Sequence, residues 1–340
     1  MRALLIALLA FGVTDMAAAQ TTRTLMSWEE LAGWADDDHA KALATFQETC
    51  TDLSDTEWAT LCALGQSQPD ARAYFELFFR PVMISDGEPG LFTGYFEPEL
   101  AGSRTRTSKF RYPLYSLPPE VKQDAVWHTR AEIEEQGLLS GRGLEIVWVD
   151  DPVDVFFLQI QGSGRVKLEG GGAVRVGYGG RNGHDYRSVG QELVRRGIYE
   201  AHQVSAGTIR NWVRRNPEEG RLLLHHNPSF IFFREVSEVP SSAGPLGAMN
   251  RSVTKLRSIA VDPEFVPLGA PVWIEKDGRD PLKRLMIAQD TGSAIKGAQR
   301  ADIFYGTGAD AGLEAGKIKD PGRMIVLLPI KHALDLVSGD

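Results

Sequence analysis

The sequence predicts a mainly β protein with peripheral helices, in which barrel architecture is favoured over a doubly wound parallel sheet. From Phe92 onward, short runs rich in Val, Ile, Phe and Tyr are punctuated by Gly and Pro, a pattern typical of strands. Helical patterns are concentrated in the N-terminal stretch and in one later interlude. The strands therefore lack the regular alternation with helices that a doubly wound sheet requires. With 340 residues the chain is long enough for two cores, so we expect two domains.

The N-terminal stretch predicts helices. Ser27 and Glu30 form the pattern of a capping box. Apolar residues then fall at spacings that line a helix face: Leu31, Trp34, Leu43 and Phe46. Asp70 is placed to cap a further helix that carries four aromatic residues: Tyr74, Phe75, Phe78 and Phe79.

The remaining elements are predicted in two groups of strands with helices between them. The first group of strands comprises LEIVWVDD, VFFLQIQGSG, RVKLEGGG and AVRVGYGG. Two helices follow, YRSVGQELVRRG and then AGTIRNWVRRN, which Ser205 caps. After Pro240 the second group of strands comprises RSIAVD, PVWIE, RLMIAQD, ADIFYG and RMIVLLP. The Pro- and Gly-rich EVPSSAGPLG is a plausible linker.

The first residues predict export. One early Arg, an apolar stretch and Ala17 to Ala19 are typical of a secretory signal peptide over residues 1–19. The apolar run is too short for a membrane span, and it is followed by no cysteine that could carry a lipid. We expect a soluble protein with no lipid anchor. The formal charge of −8 disfavours nucleic acid as a partner.

Cys50 and Cys62 are the two cysteines of the chain. An oxidising compartment permits a disulfide between them, and two buried thiols are the alternative. No His lies near either residue in sequence, so neither is expected to be catalytic.

Three aspartates lie in the C-terminal strand region. Asp262 and Asp290 end apolar runs, where carboxylates often only accept hydrogen bonds in turns. Asp302 is different, because it lies within RADIFYG, inside a predicted strand that disfavours Asp. Burial there would raise the pKa of its carboxyl, which suits a general acid.

Other segments predict contacts with sugars. GLFTGYFEPE, residues 90–99, places aromatic residues beside one acid, a pattern equally explained by a core strand and a turn. FFLQIQGSGRV alternates Gln159 and Gln161 with apolar residues, so both amides are expected on one face of a strand. GYGGRNGHDYRSVG supplies a Gly-rich polar loop of the kind that often binds ligands.

Several chemistries are disfavoured. The chain has no HExxH and no cysteine cluster, and the adjacent His225 and His226 are expected to point apart on a strand, so no metal is expected. It has no GxSxG elbow, and its glycine spacing matches neither nucleotide fingerprint. We expect no cofactor, and acid–base work on a carbohydrate remains.

The motifs together resemble the membrane-bound lytic murein transglycosylase A family, whose C-terminal domain is named for three aspartates. The resemblance runs from about Phe92 to Val326 and rests on motifs in family order: TGYFEP, FFLQIQGSG, GYGGRNGHDYRSVG, NPSFIFFRE, RSIAVDP with VPLGAPV, and QDTGSAIKGAQRADIFYGTG. It implies a double-psi β-barrel domain from residues 20–99 and 239–340. A second, mostly β domain would be inserted over residues 100–238, with a substrate cleft between the two.

The resemblance also implies an activity. The family cleaves the β-1,4 bond between N-acetylmuramic acid and N-acetylglucosamine in peptidoglycan without water and leaves 1,6-anhydro ends. Asp302 matches the catalytic acid and base, and Asp262 and Asp290 match the supporting aspartates. Substrate contacts are expected from Thr93, Tyr95, Glu97, Gln159, Gln161, Gly162, Ser163, Asn182 and His184.

Two other functions stay open. One is a hydrolase that uses Asp302 with Asp290 or Glu97 as a second carboxylate. The other is a non-catalytic wall-binding protein. The expected partner is peptidoglycan glycan, bound by a monomer in the periplasm, soluble or peripherally associated with the outer membrane. Family members are commonly lipid-anchored, and the missing cysteine is the departure of this chain from that pattern.

Overall fold

A computed structural model describes residues 21–53, 55–67, 70–122, 125–240 and 242–338. The predicted signal peptide, residues 1–19, lies outside the described residues. Within the described ranges, the helices are too short or too polar to cross a membrane.

Strands make up both halves of the fold. They are β1 (Thr22–Leu25), β2 (Phe79–Ser85), β3 (Leu91–Glu97), β4 (Glu99–Ser103), β5 (Tyr112–Tyr115), β6 (Glu145–Val149), β7 (Gly164–Leu168), β8 (Ala173–Arg181), β9 (Ile231–Glu235), β10 (Ser258–Val261), β11 (Pro271–Lys276), β12 (Leu282–Thr291), β13 (Arg300–Thr307), β14 (Lys319–Asp320) and β15 (Gly322–Pro329).

Helices lie at the periphery of the strands. They are α1 (His39–Thr49), α2 (Thr56–Gly65), α3 (Ala71–Phe78), α4 (Arg130–Glu135), α5 (Pro152–Gln161), α6 (Val189–Arg195), α7 (Ala206–Arg215), α8 (Pro217–His225), α9 (Ala309–Ala315) and α10 (Ile330–Ser338). Short 3₁₀ turns are Trp28–Glu30, Trp34–Asp36, Cys50–Asp52 and Ala201–Gln203.

The larger sheet, called sheet A here, is built from both ends of the chain. Its nine strands run in the order β1-β2-β15-β11-β12-β10-β13-β3-β14. Parallel pairing of β10 with β12 and of β13 with β3 interrupts otherwise antiparallel neighbours. The sheet curls so that β15 also contacts β3, which gives the barrel-like shape that the sequence predicted.

The smaller sheet, sheet B, comes from the middle of the chain. Its six strands run in the order β5-β6-β4-β7-β8-β9. Its apolar core includes Val147, Val166 and Phe233 and is separate from the core of sheet A. The predicted mainly β fold with peripheral helices is therefore confirmed.

The core of sheet A also holds the N-terminal helices in place. Phe46 of α1 packs against Trp58, Tyr74, Phe75 and Phe79, with ring centroids 5.9–6.4 Å apart. Cys50 and Cys62 form a disulfide that links the end of α1 to α2.

Most predicted caps are found in the structure. Ser27 and Glu30 form a capping box, although around a 3₁₀ turn. Asp70 accepts a hydrogen bond from the Ala73 N–H at the start of α3, and Ser205 caps α7. Phe79, predicted as the last aromatic residue of a helix, instead begins β2.

Two predictions of strand structure are wrong. The segment around Gln159 and Gln161 is the helix α5, since Asp151 caps it, Pro152 occupies its first turn and Gly162 ends it at φ 76°. The alternation of residue types therefore did not decide the structure there. His225 and His226 likewise lie at the end of α8 and not on a strand.

Candidate active site

Two of the three aspartates lie in one row across sheet A. Ala260 of β10 pairs with Asp290 on one side and with Asp302 on the other, and Asp302 pairs with Thr93 of β3. Adjacent strands lie about 4.8 Å apart, so the Cα atoms of Asp290 and Asp302 are roughly 10 Å apart. Side chains of paired residues share a face, so both carboxyls lie on the same side of the sheet.

A bulge places Asp290 on that face. The register between β10 and β12 shifts after Ile259 and Ala288, and the next pair is Ala260 with Asp290. The extra residue is Gln289, which is fully buried and accepts a hydrogen bond from the Ser258 hydroxyl. Bulges of this kind redirect a side chain, and this one turns Asp290 away from the core.

Asp302 is held through one oxygen by the residues that the structure describes. The Thr93 hydroxyl donates to its Oδ1 at 2.7 Å, and Arg300 donates to the Thr93 hydroxyl oxygen at 2.8 Å. Among the described residues, its Oδ2 accepts no hydrogen bond. Burial raises the pKa of Asp302 above its ordinary value, against the hydrogen bond from Thr93 and the charge of Arg300.

Asp290 is held through both oxygens. Its Oδ1 accepts from the backbone N–H groups of Ala248 and Thr291, both at 2.9 Å, and its Oδ2 accepts from the Tyr95 hydroxyl at 3.0 Å. Burial raises the pKa of Asp290 to about 6 despite these three donors. Gly247 permits the approach of Ala248, because a Cβ at position 247 would lie 2.6 Å from the Gln289 carbonyl oxygen.

Asp262 organises the loop between β12 and β13. Its Oδ2 accepts from the Gly297 N–H at 3.0 Å, and its Oδ1 accepts from Lys296 and from the Glu264 N–H. Burial raises the pKa of Asp262, but these hydrogen bonds outweigh burial and leave it below its ordinary value. Asp262 is therefore an ionised anchor of the loop.

An apolar cluster surrounds the row of carboxyls. It contains Tyr95, Val253, Ala260, Ile295 and Phe304. The Tyr95 and Phe304 rings lie 5.2 Å apart, and burial raises the pKa of the Tyr95 hydroxyl well above its ordinary value. Tyr95 therefore acts as a hydrogen-bond donor to Asp290.

Glu97 lies in a different environment from the aspartates. Its fully buried carboxylate contacts Arg165 at 3.0 Å and Arg175 at 2.9 Å, and it accepts a hydrogen bond from the Thr307 hydroxyl at 2.8 Å. The two arginines are paired neighbours on β7 and β8. These three charged residues, the Glu97 clasp, join sheet A to sheet B, and Glu97 is not on a surface that a glycan can reach.

The structure also places two other predicted substrate contacts in the interior. Gln159 accepts a hydrogen bond from Arg130 and donates to the Ile231 carbonyl. Asn182, fully buried, donates to the carbonyls of residues 128 and 228 and accepts from the Phe230 N–H. Both amides thus bond to backbone or arginine groups within the middle of the chain.

The remaining predicted contacts are distributed over two places. Gln161 accepts a hydrogen bond from the Phe96 N–H at 3.1 Å, next to the site on β3. Gly162 and the buried Ser163 follow it at the end of α5. His184 is half-buried and donates from Nε2 to the Trp127 carbonyl.

Arg300 is the residue of the site that sequence reasoning missed. It lies two positions before Asp302 on β13, and residues two apart on a strand share a face. That spacing could have identified it. Among the described residues, no group of three or more His, Cys, Asp or Glu side chains is arranged to hold a metal ion.

These features define a class of protein in which a barrel-like sheet and an inserted sheet meet beside a half-buried carboxyl that is hydrogen-bonded through one oxygen. The chain belongs to the membrane-bound lytic murein transglycosylase A family. Residues 91–234 match the MltA specific insert domain, and residues 257–328 match the 3D domain.

Two relatives carry the name membrane-bound lytic murein transglycosylase A. The relative from Vibrio cholerae serotype O1 is 38% identical over 246 residues, which are 69% of this chain and 64% of the relative. The relative from Escherichia coli K12 is 36% identical over 260 residues, which are 73% of this chain and 68% of the relative. The chain thus matches less than two thirds of the Vibrio protein's length.

Solved structures match over most of both chains. The membrane-bound lytic murein transglycosylase from Agrobacterium tumefaciens has a TM-score of 0.83 and 32% identity, over 92% of this chain and 99% of that one. E. coli MltA with bound chitohexaose has a TM-score of 0.73 and 29% identity, over 90% of this chain and 94% of that one.

Proposed function

We propose that this protein is a lytic transglycosylase that cleaves the β-1,4 bond between N-acetylmuramic acid and N-acetylglucosamine in peptidoglycan and leaves 1,6-anhydromuramoyl ends. Membership of the family supports this activity. The E. coli relative binds chitohexaose, a chain of N-acetylglucosamine units, which supports a glycan as ligand. We further propose an exported, periplasmic monomer, with the inserted domain at residues 100–238.

One observation carries the mechanism. Asp302 has a raised pKa and, among the described residues, an oxygen that accepts no hydrogen bond, whereas both oxygens of Asp290 and of Asp262 accept hydrogen bonds. A general acid must be protonated near neutral pH and must reach the leaving oxygen. Asp302 alone among the three combines a raised pKa, which favours keeping that proton, with an oxygen that is not occupied by another described residue.

The reaction uses Asp302 twice. Its proton passes to the glycosidic oxygen as the bond from that oxygen to C1 of the muramoyl residue breaks. The C6 hydroxyl of the same sugar then attacks C1, and the Asp302 carboxylate takes the proton that this hydroxyl loses. The acid is restored, and no water is consumed.

The other two aspartates support this step. Asp290 of β12 pairs with Ala260 on the side opposite Asp302. Its carboxyl would place partial negative charge near the oxocarbenium-like centre at C1. Asp262 fixes the loop that leads into β13 and so holds Asp302 in place. Thr93 and Tyr95 would line the floor, and Gln161 connects this floor to the inserted domain.

The end group of the product tests the proposal. Peptidoglycan digested with the purified protein is analysed by mass spectrometry, and the expected muropeptides carry 1,6-anhydro ends, which are 18 Da lighter than reducing ends because no water is added. Reducing ends alone would establish a hydrolase with a second carboxylate. Binding of glycan without any product would establish a wall-binding protein.

A further inference from the structure

The transferable proton of Asp302 has two oxygens on which it could reside. In the described part of the chain, only Oδ1 has a hydrogen-bond partner, the Thr93 hydroxyl. A hydroxyl has one hydrogen and can both donate and accept, so the direction of this bond depends on what else Thr93 contacts.

Arg300 settles that direction. Its guanidinium can only donate, so the Thr93 oxygen must accept the hydrogen bond from the second guanidinium nitrogen at 2.8 Å. The hydroxyl hydrogen of Thr93 is then available to Asp302 Oδ1, which lies at 2.7 Å. Because Oδ1 accepts this hydrogen, protonation of the Asp302 carboxyl is less favourable at Oδ1 than at Oδ2.

The backbone holds Arg300 for this role. Its other terminal nitrogen donates to the Ala301 carbonyl at 2.6 Å and to the Leu91 carbonyl at 3.3 Å. Leu91 and Arg300 form one paired row, and Thr93 and Asp302 form the next row on the same face. The guanidinium is thus fixed before any substrate arrives.

We propose that Arg300 is a positioning residue that acts through Thr93: it directs the Thr93 hydrogen to Asp302 Oδ1 and thereby places the transferable proton on Oδ2. Oδ2 gives this proton to the glycosidic oxygen and receives the proton of the C6 hydroxyl. This inference rests on the proposed role of Asp302 and names a residue that sets it.

The charge of Arg300 has a second effect. It opposes the rise in the pKa of Asp302 that burial causes. The other ionisable groups that interact with Asp302 are Asp290 from β12, Tyr95 from β3 and Tyr305 from β13. On β10 the paired residue is the uncharged Ala260. Loss of Arg300 therefore leaves burial and the Asp290 charge, both of which favour the neutral acid.

The contacts from Arg300 through Thr93 to Asp302 are called the relay. Four variants test it: Arg300→Met, Arg300→Lys, Thr93→Val and Thr93→Ser. We expect Arg300→Met and Thr93→Val each to lower kcat by roughly 10- to 100-fold with little change in KM. Thr93→Ser restores the rate because it keeps the hydroxyl, and Arg300→Lys restores it in part. The double variant Arg300→Met with Thr93→Val loses no more than either single variant, since both break one chain of contacts.

A titration separates this proposal from the proposed activity. The pKa of the Asp302 carboxyl is measured by carbon-13 NMR in the wild type and in Arg300→Met, with Asp302→Asn used to assign the signal. We expect a higher pKa in Arg300→Met and a basic limb of the kcat profile that moves to higher pH by the same amount. Lys319 pairs with Thr93 through the backbone, but among the described residues its side chain donates no hydrogen bond to the Thr93 hydroxyl, so Lys319→Met removes a nearby cation and leaves both unchanged.

Each outcome decides between the two proposals. Anhydro products from the wild type together with an unmoved pKa in Arg300→Met, or additive losses in the double variant, would overturn the relay alone. A wild type without anhydro products would overturn the proposed activity, and the titration would still report on the contact. If Arg300→Met does not fold, the isosteric Thr93→Val gives the same test.

Discussion

Glu97 and Asp302 are acids on paired neighbouring strands, and the protein treats them in opposite ways. Glu97 is fully buried and contacts two arginines and a threonine hydroxyl. Asp302 is half-buried, and only one of its oxygens is hydrogen-bonded to another described residue. Complete pairing makes a carboxylate a structural tie. Incomplete pairing with a raised pKa leaves a carboxyl that can exchange a proton.

The largest expected effect comes from changing Asp302, the acid that can exchange a proton. Asp302→Asn keeps the shape of the side chain and removes the exchangeable proton, so we expect a loss of activity of roughly 10²–10⁴-fold with little change in thermal unfolding. Release of soluble muropeptides from peptidoglycan measures the rate.

The exposed Asp310 supplies the matched control, because Asp310→Asn makes the same change at the start of α9. Equal activity of the two folded variants would remove Asp302 from the mechanism.

The next largest effect comes from changing Glu97, the fully paired acid. Glu97→Gln leaves the buried Arg175 and the half-buried Arg165 without their counter-charge, so we expect the free energy of unfolding to fall by about 3 kcal/mol. Urea unfolding followed by fluorescence measures it.

Glu99→Gln is the control, because Glu99 pairs with the exposed Lys167 and the same change there should cost less than about 1 kcal/mol. Similar losses for both variants would mean that the clasp contributes nothing particular.

The smallest expected effect concerns Asp290, which combines features of both acids. Its pKa is raised, and both of its carboxyl oxygens accept hydrogen bonds. The pKa of Asp290 is raised from its ordinary 3.8 to about 6. Between these values the folded state binds more protons than the unfolded state, so this group makes stability fall as pH rises from about 4 to about 6. Asp290→Asn should remove that part of the slope.

The measurement is the free energy of unfolding at steps across this pH range in both proteins. Subtracting one curve from the other isolates the contribution of Asp290 together with its interaction with Asp302, which has the same sign. Parallel curves would contradict the raised pKa.

The sequence predicted much of the fold because local signals agreed with the tertiary result. Ser205 and Asp70 cap helices, and the strand runs after Pro240 are strands. Asp302 could be singled out because an aspartate inside a strand conflicts with local propensity. Where propensity and context diverged, as in α5, capping by Asp151 and Gly162 decided the structure against the alternation.

The rest of the site depended on long-range pairing. The partners of Glu97 lie about 70 and 80 residues further along the chain, and nothing near Glu97 in sequence indicates them. The sequence predicts Asn182 and Gln159 as ligand-binding amides because composition does not report burial. In the structure, both form hydrogen bonds with backbone or arginine groups inside the fold. The contact from Arg300 to Thr93 likewise needed the register of β13 on β3.

The bulge at Gln289 decides which face of the sheet the last residues of β12 occupy. Residues on a strand alternate between two faces, so their parity decides whether a side chain faces the core or the cleft. In a regular register of the same residues, Gln289 would lie opposite Ala260, and Asp290 would lie opposite Val261 and face inward. The second carboxyl of the row thus depends on the bulge as much as on the identity of residue 290. Loss of the bulge without loss of a residue would remove an acid from the cleft while leaving every aspartate in the chain.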